Sequence, residues 1–370
     1  MKKTIGVMFS GYGQQFVTMG KDLYDESRHV QDLFEQASMC LDINFVQLCF
    51  ASSDAEISEL DKGYLAILLF QVSFYSQLSQ AGLKPDFIAG FGIGEFAAAV
   101  ASGSLSFADG LYLLSKYAKI LKEFFTLYPD YSVLYLSKGF TQESLEELCE
   151  KFSVGHQRVF IAAHTTEQGF YVAGPIELIE QIKEYCKENE IRKVKQFTFA
   201  YGLHSSILDA VPTMLSPYLF KIDFKPLKFP IITGVDGAYV TSADALESAM
   251  LRQVNNPIVW DEVMDGFVGC EILICVGPGN QLQQWAQLKY PDKEIYSVEK
   301  MADVDVIKAL LEKYDDGQIN VDDAEEAIIH FGVCHLDTEI VQVPDDLTVA
   351  DEMNELPSDY DIDEEDELES

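Results

Sequence analysis

Residues 86–103, DFIAGFGIGEFAAAVASG, constrain the fold more than any other stretch of this chain. An apolar run enters a turn with glycine at every second position, Gly90, Gly92 and Gly94, and leaves it as a helix of small residues. A strand, turn and helix of this kind imply a parallel α/β sheet, whose buried strands read as continuous apolar runs. Two chemistries put glycines in such a turn. In the dinucleotide fingerprint G-x-G-x-x-G/A, here Gly92, Gly94 and Ala97, backbone N–H groups receive a pyrophosphate. In the nucleophile elbow G-x-S-x-G, flanking glycines let a strained turn present a side chain above the sheet. The fingerprint needs an acidic residue ending a second strand about 20 residues later. Asp109 has that separation but falls in the first turn of a helix, so the elbow is the better reading.

The rest of the chain alternates in the same way. TIGVMFS is a buried strand, and GYLAILLFQVSFYSQLSQAG is a long apolar helix closed by Gly82. Ser106 caps an amphipathic helix that follows it. Between Asp130 and Phe199 the pattern changes to DYSVLYLS, a helix opened at Thr141 in the S/T-x-x-E manner, the strands RVFIAAH and GFYVAG, a helix, and KVKQFTF. That order, β-α-β-β-α-β, is the split ferredoxin-like unit. It predicts a subdomain over residues 130–199 inserted into a body made of 1–129 and 200–313. The body resumes with PIITGV, a helix near Ser242–Val254 and the strand CEILICVGPG. A helical extension is expected over 314–334. From His335 onward there are roughly fifteen acids and no Lys or Arg, which predicts a disordered acidic tail over 335–370.

Composition excludes several function classes. The net charge of −35 opposes nucleic acid and anionic membranes at long range. No apolar run approaches the ~18 residues of a membrane-spanning helix. The N-terminus turns into Gly11, Tyr12 and Gly13 too early for a secretory signal. Seven scattered cysteines without a C-x-x-C pair suggest reduced thiols in a cytoplasmic protein, with no zinc site. One basic cluster, Lys183, Lys187, Arg192, Lys193 and Lys195, falls on the inserted subdomain and flanks the expected cleft.

Several motifs in register with the elbow resemble the malonyl-CoA:acyl-carrier-protein transacylase family over residues 4–312. Its opening strand and G-Q-G-S-Q loop match Gly11-Tyr12-Gly13-Gln14-Gln15, followed by Met19-Gly20. Its A-G-H-S-L-G-E-[YF] matches Ala89-Gly90-Phe91-Gly92-Ile93-Gly94-Glu95-Phe96, and Gly103 to Asp109 follow as G-x-[IL]-[SD]-F-x-D. Leu203-His204-Ser205-Ser206-Ile207, Val235-Asp236, the stretch Arg252 to Trp260 and Val276 to Gly279 complete the series. The resemblance implies an α/β-hydrolase-like parallel-sheet body carrying the ferredoxin-like insertion. It also implies an acyl transfer site with no metal and no cofactor, acting on acyl-CoA and acyl carrier protein.

Residue by residue, the family's serine nucleophile falls on Gly92 and the arginine that pairs with the malonyl carboxylate falls on Tyr117. The histidine before the nucleophile falls on Phe91, and the first-loop glutamine on Tyr12. The oxyanion-hole amides fall on Tyr12 and Ile93, the catalytic histidine on His204, and the loop orienting it on Gln253. A glycine supplies no oxygen, so no serine acyl-enzyme can form. A phenol cannot replace a guanidinium fork, and Lys116 lies about 100° around the helix from Tyr117. Ser205, Ser206 and Thr166 fall near the cleft without an elbow of their own. The expectation is therefore an inactive homologue that binds or scaffolds, through an acyl carrier, an acyl-CoA or a protein partner of the acidic tail. The alternative is acyl transfer in which His204 activates a thiol or water directly.

Overall fold

The computed structural model describes residues 3–127, 130–197 and 201–314. The acidic tail, the extension expected beyond Tyr314 and Cys334 lie outside these residues.

Strand β1 (Ile5–Phe9) is buried along its whole length, and it pairs in parallel with β2 (Phe87–Gly90) on one side and β10 (Ile272–Val276) on the other. Beyond β10 lies β11 (Glu294–Val298); beyond β2 lie the short β7 (Ile231–Ile232) and the antiparallel edge strand β8 (Tyr239–Val240). The six-stranded order is β11-β10-β1-β2-β7-β8. Because β1, β2 and β10 point the same way, the loops leaving their carboxyl ends converge, which is where open α/β sheets form clefts. The helix Leu60–Gln80 is buried over nearly all its length. Its Gln71 reaches the loop after β1 and donates to the Ser10 carbonyl at 2.7 Å. Gly82 follows with φ +92°, a left-handed closure that needs no side chain.

The second sheet contains β3 (Tyr131–Leu136), β4 (Phe160–Thr166), β5 (Gly169–Pro175) and β6 (Val194–Phe197) in the order β6-β3-β5-β4, all antiparallel. Helices Gln142–Phe152 and Ile176–Glu188 pack on one face, sharing a core of Leu134, Leu145, Phe170, Val172, Ile179 and Ile182. The first of these helices opens differently from the expected Ser/Thr-x-x-Glu box. Thr141 does cap it, but the reciprocal partner is Ser144, not a glutamate. The body contributes a fifth strand, β9 (Ile258–Val259), parallel to β4 through Ala163 and His164. Alternate residues of a strand face opposite sides, so Ile258 points toward the elbow and is nearly fully buried.

Candidate active site

The turn after β2 is held by close backbone approach. The Phe91 amide donates to the Phe9 carbonyl at 2.9 Å, carrying the chain across the end of β1. A Cβ on Gly90 would lie 2.0 Å from the carbonyl carbon of Gly94, and one on Gly94 would lie 2.4 Å from the Phe9 carbonyl oxygen. Both flanking glycines are therefore steric requirements of the turn. Gly92 is different. Its φ is +55°, the left-handed conformation of an elbow, but the nearest atoms to a Cβ are the His204 Nε2 at 3.2 Å and the Ile258 Cδ1 at 3.6 Å. The position still aims at the histidine, and only its side chain is missing.

His204 also has a positive φ, +55°, a strained conformation for a residue with a Cβ. Its Nδ1 lies 2.8 Å from the Gln253 carbonyl oxygen. A carbonyl only accepts, so Nδ1 carries the proton and the Nε2 lone pair faces Gly92. Burial lowers the His204 pKa to about 4, against a smaller opposing effect of the Gln253 carbonyl. The ring is thus neutral near pH 7 and able to accept a proton.

Gln253 is itself held from behind. Its side-chain amide donates to Glu95, whose other carboxyl oxygen accepts from the Gly234 amide at 3.4 Å. Glu95 is 1% exposed, and burial raises its pKa to about 8. The Ile93 amide opens the helix Gly94–Ala101 and donates to no oxygen among the described residues.

Gly92, Ile93, Tyr12 and His204 line one cleft of about 410 Å³ between the body and the second sheet. Among the described residues lining it there is no Ser, Thr, Cys, Asp or Glu. Ser205 is buried and donates to the Gly202 carbonyl at 2.6 Å. Ser206 and Thr166 do not line the cleft. The hydroxyl of Tyr12 donates to the Ser58 carbonyl. Tyr117 and Gln253 do not line the cleft either. They border a much smaller cavity with Glu95, and Tyr117 is buried between Phe96 and Tyr64, with ring centroids 6.2 and 6.1 Å away. Lys116 lies over the rings of Tyr112 and Tyr218. In the basic cluster, Lys183 and Lys187 pair with Glu180 and Glu184, while Lys195 reaches the cleft.

Sequence reasoning missed the aromatic residues Tyr64, Tyr171 and Phe197 of the cleft wall, and the role of Glu95 behind Gln253. Alternation along GFYVAG and KVKQF marks Tyr171 and Phe197 as lying on a defined face. It gives no sign that this face closes over the elbow.

The geometry is that of a strand–turn–helix elbow at the carboxyl end of a parallel sheet, with a glycine at its central position facing a histidine. The profile of the acyl transferase domain family matches residues 7–310, and the chain belongs to that family. It is 25% identical over 280 residues to the malonyl CoA-acyl carrier protein transacylase of Bacillus subtilis, covering 75% of this chain and 88% of that one. The structure of the Coxiella burnetii malonyl CoA-acyl carrier protein transacylase superposes with a TM-score of 0.79 at 22% identity, over 85% of this chain and 98% of that one. A malonyl-transacylase solved with its type II polyketide acyl carrier protein gives a TM-score of 0.78 at 22% identity, over 83% and 99%. These relatives are enzymes of malonyl transfer, and the fold is theirs. Among the described residues, no helix is long and apolar enough to cross a membrane, and no three His, Cys, Asp or Glu side chains are grouped to hold a metal.

Proposed function

We propose that this chain is a pseudoenzyme of the acyltransferase fold, which binds an acyl thioester or its carrier protein without forming an acyl-enzyme. One observation carries the reading. The elbow presents Gly92 to His204, and among the described residues lining the cleft there is no Ser, Thr, Cys, Asp or Glu in its place. Covalent acyl transfer requires a nucleophile activated by an adjacent base, and here only the base is left. The related transacylase solved with an acyl carrier protein supports a carrier as the partner. The acidic segment beyond His335 offers a second, electrostatic contact for a basic protein in the cytoplasm. The test is the intact mass of the full chain after incubation with malonyl-CoA. No gain is expected, and a stable gain of one malonyl group overturns the reading.

The Nε2 lone pair facing open space supports a second reading. A carrier thiol bound at Gly92 would give its proton to His204, and the thiolate would attack the thioester carbonyl. The departing CoA thiolate would then recover that proton. This predicts thioester exchange without an adduct, abolished by His204→Ala; absence of exchange in the wild type eliminates it.

A further inference from the structure

Phe91, beside the elbow, belongs to an aromatic cluster that lines the cleft. Phe91 packs edge-on against Trp260 at 5.5 Å and Trp285 at 5.2 Å, and lies 6.3 Å from Tyr171. Tyr171 in turn lies 5.6 Å from Phe197. The three rings Phe91, Tyr171 and Phe197 form one aromatic wall that crosses from the body to the second sheet, and Ala162, Ala163 and Val133 add aliphatic surface. Polar groups beside the wall are already satisfied by one another. Gln14 donates to Gln281 at 2.6 Å, Gln281 donates to the Tyr171 hydroxyl at 2.7 Å, and Trp285 donates to the Tyr135 hydroxyl at 3.2 Å. Among the described residues the cleft presents no guanidinium and no carboxylate. Lys195, the one charged side chain among the described lining residues, is exposed on the edge strand β6 with its ammonium 4.8 Å from the Phe197 ring centre.

We infer that this cleft selects an uncharged, apolar acyl chain carried on a phosphopantetheine thioester. The chain lies along the Phe91–Tyr171–Phe197 wall, the thioester carbonyl accepts from the Ile93 amide, and a phosphate of the carrier sits at Lys195. The inference rests on the reading of the cleft as a non-covalent acyl-thioester site. A dicarboxylic acyl group is disfavoured there. Its carboxylate would lose water without gaining a fork of donors, and an unpaired buried charge is strongly unfavourable. An apolar chain gains instead, by about fourfold in affinity for each methylene buried. The cleft volume of about 410 Å³ lies within the usual range for small-molecule sites.

The experiment is calorimetric titration of the full chain with malonyl-, acetyl-, hexanoyl- and octanoyl-CoA. Affinity should rise with chain length: six further methylenes at about fourfold each put octanoyl-CoA on the order of a thousandfold tighter than acetyl-CoA, with malonyl-CoA no tighter than acetyl-CoA. Lys195→Glu, an exposed change that leaves the core intact, should weaken all four esters by a similar factor and keep the chain-length slope. Phe197→Asp should flatten that slope, with circular dichroism confirming the fold. Octanoyl-pantetheine, which lacks phosphate, should lose affinity and become insensitive to Lys195→Glu. Titration with octanoyl-acyl carrier protein then separates the two carriers: tighter binding than octanoyl-CoA identifies the protein carrier, and weaker binding identifies the coenzyme, each in keeping with the shared arm. Malonyl-CoA binding as tightly as octanoyl-CoA overturns the selectivity and leaves thioester binding standing. Failure of every ester to bind overturns both.

Discussion

Gly92→Ser asks whether the site around the missing nucleophile is still organised for chemistry. A Cβ at Gly92 lies 3.2 Å from the His204 Nε2, so that contact must relax by a few tenths of an ångström, and the hydroxyl then falls within hydrogen-bond reach of the ring. The backbone at φ +55° charges any side chain a strain of about 1–3 kcal/mol. That should lower the melting temperature by a few degrees for a domain of this size. Gly92→Ala carries the same strain without the hydroxyl, and so separates strain from chemistry. His204 is neutral at pH 7, its Nδ1 proton is fixed by the Gln253 carbonyl, and the Ile93 amide is available to an oxyanion. The serine variant should therefore acquire one acyl group from acetyl-CoA, measured by intact mass, while wild type and Gly92→Ala stay unmodified. Tyr117 offers no cation, so malonyl-CoA should acylate it no faster than acetyl-CoA. A folded Gly92→Ser variant that stays unmodified by every thioester would refute the preorganisation argument and leave His204 a structural residue.

Two further outcomes follow from the same site. Glu95 titrates near 8 when folded, against 4.5 for an ordinary glutamate. Between those values the unfolded chain releases a proton that the folded chain retains, so stability falls as pH rises, by about 1.4 kcal/mol per pH unit. His204, with a folded pKa of about 4 against 6.5, acts oppositely, and its contribution rises with pH between those values. The two slopes cancel between about 4.5 and 6.5, and of the two groups only Glu95 contributes a slope from 6.5 to 8. Urea midpoints should therefore fall across that upper window in the wild type and stay level in Glu95→Gln. Asp236 and Arg252 also act on Glu95, but their effects are opposed. An equal slope in both proteins rejects the assignment. Gly90→Ala should cost more than about 3 kcal/mol and yield little soluble protein, because its Cβ falls 2.0 Å from backbone atoms. A variant that melts within a few degrees of wild type would show that the turn is not sterically fixed.

Much of the fold was legible because its strands are buried in continuous apolar runs and its helices carry caps. Ser106 and Ser242 start their helices by accepting from the amides three residues on, at 3.0 and 3.4 Å. The pairing of β9 with β4 was not legible. Two residues of strand carry no period, and the pairing joins segments about a hundred residues apart. The positions of Gly92, Ile93, His204 and Gln253 could be read because each stands at a fixed offset within a motif. Tyr117 shows where offset stops being informative. Its place on the helix Phe107–Leu127 follows from the sequence, but Tyr64, from another helix, is the tyrosine that lines the cleft beside it.

On the proposed reading, the same residues explain how a site without an acyl-enzyme keeps its form. A Cβ added at Gly90 or Gly94 would fall 2.0–2.4 Å from backbone atoms, so the turn requires both glycines whether or not it presents a nucleophile. Gly92 has no such contact. A serine there would add strain to the fold and contribute no comparable packing, so replacing it with glycine relaxes the turn. His204, Gln253 and Glu95 answer to a different demand. The Gln253 carbonyl takes the His204 proton, the Gln253 amide satisfies Glu95, and Glu95 also takes the Gly234 amide. Removing one member would leave a buried polar group without a partner, which costs about 1–3 kcal/mol. Polar satisfaction thus holds the histidine and its supports in place whether or not residue 92 carries a nucleophile, whereas nothing in the packing demands a side chain at Gly92.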